Sequence, residues 1–100
     1  MAYTDIDKPT DYFNTVLYTG NGSSQTITGV GFAGDWFWFK ERSTAGNHQQ
    51  LDRVRSSFTK NLTSNRTNAE GTTSTYITSV NSDGFAVGTN NGINQDGVTN

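Results

Sequence analysis

The side chains that could do chemistry here are one histidine, a few carboxylates, a glycine-rich stretch, an asparagine-rich stretch and two tryptophans. His48 has no second histidine beside it and no serine in a nucleophile-elbow context. A catalytic triad or metal centre needs convergent partners, so His48 reads as a loop residue. Asp52, Glu70 and Asp83 are the carboxylates from which a glycosidase pair could be drawn. They are far apart in sequence, and turn or surface roles account for each. Gly20-Asn21-Gly22-Ser23-Ser24 lacks the lysine and following helix of a phosphate loop and reads as a turn. Residues 90–97 carry oxygen ligands of the kind calcium takes, without the alternating acidic residues and final glutamate of an EF-hand. Trp36 and Trp38 remain. Two positions apart on a strand, they share a face and could stack on a sugar ring. The competing role, and the expected one where large apolar residues are so few, is to fill the space between two sheets. The chain contains no cysteine, so disulfides, thiolate metal sites and cysteine nucleophiles are excluded. No catalytic residue, metal or cofactor is assigned, and the expectation is a protein that is not an enzyme.

The elements that must position these residues are strands. Apolar residues make up 31% of the chain, charged residues 16%, and the mean hydropathy is −0.66. Leu, Ala, Glu and Lys are scarce, which removes the usual material of amphipathic helices and leaves the core to Phe, Tyr and Trp. A chain of 100 residues makes one small domain. Residues 1–11 form a polar arm carrying the single proline, Pro9, and residues 12–100 form the domain. The arm is expected to pack on the domain or on another subunit.

Residues 12–18 predict a first strand ending at the turn of residues 19–24. Gly29, Gly31 and Gly34 bracket Val30 and Phe32 in a tight connection. Residues 36–39 then predict a central strand with Trp36 and Trp38 on one face and Phe37 and Phe39 on the other, so that both faces meet something apolar. Residues 49–55 read as a strand, with a short helical turn as the alternative because Leu51 and Val54 are three apart. Residues 58–62 predict a short strand and residues 63–74 a long surface loop. Residues 75–80 and 85–88 form the clearest hairpin, joined through Asn81-Ser82-Asp83-Gly84. No closing strand follows in residues 89–100. The class is all-β, a jelly-roll-like antiparallel sandwich lacking its closing strand.

The formal net charge is −2, which offers no basic surface for nucleic acid. No apolar run of about 18 residues and no signal-peptide pattern occurs, so the expectation is a soluble protein made in a cytoplasm, with no membrane partner.

One resemblance spans the whole ordered pattern. Residues 12–22, then Gly29-Val30-Gly31-Phe32, Asp35-Trp36-Phe37-Trp38-Phe39-Lys40 and Ser82-Asp83-Gly84-Phe85-Ala86-Val87-Gly88, after a start of Ala2-Tyr3-Thr4-Asp5-Ile6-Asp7-Lys8-Pro9, resemble a domain of virion proteins of tailed phages, especially marine ones. That domain is similar to concanavalin-like (LamG-like) jelly rolls. The resemblance implies a virion structural protein, a tail fibre or a tail or head appendage, with capsid decoration as an alternative location. It implies partners among other virion proteins and copies of itself, and no catalytic motif. Members continue into an aromatic strand that closes the sheet, and this sequence stops short of it, which leaves an edge that another subunit's strand could fill. Tyr3, Ile6 and Pro9 of the arm are the candidate assembly contacts. The second functional expectation is a carbohydrate-binding module for host-surface glycans, using Trp36 or Trp38 with side chains from residues 63–74 and 89–97.

Overall fold

The structure is a computed structural model that describes residues 9–100. Its strands are short and lie in two antiparallel sheets, as the β-rich composition requires. In chain order they are β1 (Gln25–Ile27), β2 (Trp36–Phe39), β3 (Gln49–Asp52), β4 (Lys60–Thr63), β5 (Gly71–Thr72), β6 (Ile77–Asn81) and β7 (Gly84–Val87). A single-turn helix, α1 (Asn91–Asn94), follows. One sheet has the order β1-β7-β6 and the other β2-β3-β4-β5. The architecture is an all-β sandwich.

The core sits between the sheets and combines aliphatic side chains with a cluster of aromatic rings. Phe85 of β7 meets Phe37 and Phe39 of β2 edge-on, with ring centroids 4.9 and 5.6 Å apart. Phe58 closes against Phe37 at 5.6 Å. Leu51 of β3 and Val87 of β7 are fully buried at the centre. The β6–β7 hairpin forms where residues 75–88 predict it, with Asn81 paired to Gly84 and a bulge between Ile77 and Ser79. Gly84 is required there, because a Cβ at that position would lie 1.9 Å from the Ile27 carbonyl oxygen. Gly29 and Gly31 adopt φ of 88° and 90°, and the Asp83 carboxylate accepts from both of their N–H groups, at 3.1 and 2.9 Å. That carboxylate is a turn clamp.

Several expectations are corrected. Residues 12–18 do not form a ladder strand. Among the described residues their backbone–backbone bonds lie at the ends, from Tyr12 and Phe13 N–H to the Pro9 carbonyl and between Tyr18 and Asn100. Among the described residues β2 is an edge strand rather than a central one, because β3 is the one strand it pairs with. Residues 49–55 are strand only to Asp52, since Asp52 Oδ1 accepts from Arg55 N–H and turns the chain. β4 begins at Lys60, after a turn at Ser56–Phe58 in which Ser57 and Phe58 take positive φ. The loop of residues 63–74 is interrupted by β5, which pairs with β4. Tyr3 and Ile6 lie outside the described residues. Pro9 opens an exposed 3₁₀ turn, Pro9–Asp11.

Candidate functional site

The side of β2 away from β3 borders an open groove. Its other wall is the segment of residues 11–18, its volume is about 910 Å³, and it reaches inward to Phe32, Phe37, Phe39 and Phe85. Val16 and Asn100 also line it. The outer rim is unusually apolar for a small domain, with Tyr12, Phe13 and Leu17 each more than 60% exposed. Asn100 is buried, and its Oδ1 is a buried acceptor without a partner among the described residues. An acceptor left in that state costs about 1–3 kcal/mol.

Trp36 and Trp38 stand beside the groove on the outer face of β2, 49% and 56% exposed. They do not fill the space between the sheets. That role falls to Phe37 and Phe39, because the strand's alternation turns the phenylalanines inward and the indoles outward. The two indole centroids are 6.2 Å apart at 53°. Trp38 Nε1–H donates to His48 Nδ1 at 3.1 Å, which places the imidazole as acceptor at that nitrogen. His48 N–H in turn donates to Asn65 Oδ1, and Asn65 Nδ2 and Arg66 Nε both donate to Asn47 Oδ1. Asn65 and Arg66, from residues 63–74, therefore lie against His48 and Asn47 beside Trp38. The stretch of residues 89–97 does not join this rim. Asn90 caps α1, and fully buried Asn94 ties Gly88, Ser23, Asn21 and Gln25 together. Sequence reasoning missed both the Trp38–His48 pair and the Asn94 hub, and no residue spacing signals either.

The carboxylates have structural partners. Arg55 Nε donates to Asp52 Oδ2 at 2.6 Å and its Nη1 to Glu70 Oε2 at 2.7 Å. Hydrogen bonds from the Arg55 backbone and side chain hold the Asp52 carboxyl below the usual carboxylate range, so it stays an ionised partner of Arg55. Asp35 pairs with Arg53 at the start of β2, but both side chains are exposed and the pair contributes little. Among the described residues, no three His, Asp or Glu side chains converge as metal ligands, and no helix is long and apolar enough to cross a membrane.

The described residues thus form an all-β sandwich with an apolar groove beside β2 and an exposed tryptophan pair on its outer face. Residues 8–100 match the family described as a domain of unknown function, DUF7483, and the chain belongs to that family. No curated protein matches the sequence. No solved structure matches it.

Proposed function

We propose that this chain is a non-enzymatic structural component of a tailed-phage virion, part of a tail fibre or of a tail or head appendage that is present in multiple copies. The observation that supports the assembly reading is the groove beside β2. It combines a sheet edge that has no partner strand among the described residues with an opening toward the core phenylalanines, a surface that a protein partner would cover. The phage setting follows from the sequence resemblance. Imaging an intact particle to a resolution that traces backbone tests it directly. Repeated copies at the tail or on a head appendage are the expected result, and copies arrayed on the head lattice would make it a capsid decoration protein. A chain that sediments as a stable monomer and binds no virion protein sinks the proposal.

A second reading, a module that binds host-surface glycan, is favoured by one observation: two neighbouring, half-exposed indoles flanked by His48, Asn47, Asn65 and Arg66. Acrylamide should quench both tryptophans, and a bound glycan should shield them. An array of host glycans that leaves quenching unchanged removes this reading.

A further inference from the structure

We infer that the outer face of the β2-β3-β4-β5 sheet binds an acidic glycan, with sugar rings on Trp36 and Trp38 and the anionic group at the Lys40, His48 and Arg66 end. The inference rests on the glycan reading above and names the class of glycan. The balance of charge and of hydrogen-bond donors carries it.

The strand register fixes which side chains share that face. Phe37 and Phe39 turn inward and the indoles outward, and pairing sets Asp52 opposite Trp36 and Gln50 opposite Trp38. Gln50 is paired on its other side with Leu62, itself 41% exposed. One step of the same register beyond Phe39 and Gln49 brings Lys40 opposite His48.

The two ends of this face differ in charge. At the Trp36 end the charges cancel, because Arg53 pairs with Asp35 while Arg55 and Lys60 share Asp52 and Glu70. At the Trp38 end, Lys40 and Arg66 have no ion-pair partner among the described residues. Lys40 Nζ donates instead to the Glu41 and Gly46 carbonyls at 2.5 and 3.1 Å, and Arg66 Nε to Asn47 Oδ1 at 3.0 Å. Glu41, next to Lys40 in sequence, is buried, and its carboxylate accepts from the Thr44 hydroxyl.

Hydrogen-bonding capacity leans the same way. The side-chain acceptors of this end are engaged: Asn47 Oδ1 by Asn65 and Arg66, Asn65 Oδ1 by His48 N–H, and His48 Nδ1 by Trp38. Donors remain. Arg66 is exposed, its guanidinium carries N–H groups beyond Nε, and a neutral imidazole that accepts at Nδ1 holds its proton on Nε2. A sugar hydroxyl both donates and accepts, whereas a carboxylate or sulfate only accepts, and a guanidinium can hold such a group through two parallel bonds. The Trp38 end therefore suits an oxyanion carried on a sugar. Trp38, with its N–H committed to His48, offers the ring its flat face, and the Gln50 amide beside it can both donate to and accept from hydroxyls.

The test titrates the purified chain with oligomers of galacturonate, mannuronate and guluronate, following tryptophan fluorescence and heat of binding. Each oligomer is also used carboxyl-reduced, and reduced then sulfated, which separates carboxylate from sulfate as the group recognised; inorganic polyphosphate supplies charge without sugar. At least one acidic oligomer should shield the indoles and bind about tenfold more tightly than its neutral form, the worth of one charge-assisted hydrogen bond, with affinity falling as salt is raised. Arg66→Gln, on an exposed loop, should weaken that binding severalfold, as should Lys40→Gln, and Trp38→Ala should weaken it further. Neutral oligomers that bind as tightly as the acidic ones overturn the acidic class and leave the glycan reading standing. Binding by no oligomer overturns both. Polyphosphate that binds as tightly as the best oligomer, or an affinity indifferent to Arg66→Gln and Lys40→Gln, also overturns the inference.

Discussion

Asn94 is a buried hydrogen-bonding hub. It is fully buried, its amide donates to the Gly88 and Ser23 carbonyls at 2.7 and 2.6 Å, and its carbonyl accepts from Asn21 N–H and Gln25 Nε2. Asn94→Ala would strand those groups, and urea unfolding should show a loss of about 3 kcal/mol. Tyr18 is a second residue with a defined role. Its hydroxyl donates to the Ile93 carbonyl, while burial, with Glu41 adding a smaller push, raises its pKa well above the ordinary 10.0. A folded pKa above the unfolded one means that the stabilisation is fully present below about pH 10 and is lost as pH rises toward the folded value. Tyr76, also raised by burial, acts in the same direction. Tyr18→Phe should therefore flatten the alkaline fall in stability and cost about 1 kcal/mol at neutral pH, both measurable by denaturant titration across pH 8–12.

At the scale of elements, β2 divides its four aromatics between two tasks. Phe39 is buried among Tyr18, Phe37 and Phe85, so Phe39→Ala should cost about 3–4 kcal/mol. Trp38→Ala, on the exposed face, should cost under about 1 kcal/mol, and thermal or urea unfolding of the pair checks the contrast. A smaller cost for Phe39→Ala than for Trp38→Ala would contradict the assigned facing of the strand. The turn after β3 has its own pH signature. The Asp52 carboxyl is lowered by Arg55, so its contribution is present above the unfolded carboxylate pKa of about 4 and is lost as pH falls through the lower folded value. Asp52→Asn should give a protein less stable at neutral pH whose stability changes less between pH 5 and 2.

For the molecule as a whole, stability should be graded across the sandwich. β7 is flanked on both sides by β1 and β6 and carries the fully buried Val87, whereas residues 13–17 have no ladder partner among the described residues. Native-state hydrogen exchange should find the slowest amides in β7 and near-intrinsic rates at residues 14–17. If residues 14–17 exchange as slowly as β7, the groove is closed in solution and the proposed assembly surface does not exist in the free chain.

Sequence alone was enough for the class of fold, the β6–β7 hairpin and the strand at residues 36–39. Each rests on local information: β-branched and aromatic residues in alternation, a turn that only certain residues allow, and the lack of helix-forming side chains. The two tertiary partners of those strands were not legible. Whether the indoles or the phenylalanines of β2 face the core depends on which side of the strand the other sheet lies, and alternation is symmetric with respect to that choice. Whether β2 is central or at an edge depends on a neighbour distant in sequence, as does the fate of residues 12–18. Asn94, an unremarkable asparagine in a polar stretch, became a core hub because the chain's return past Asn21 and Gln25 surrounded it with backbone carbonyls and donors. Local patterns determined what each segment could be, and only the packing of the two sheets decided which faces and polar groups were buried and which were left exposed.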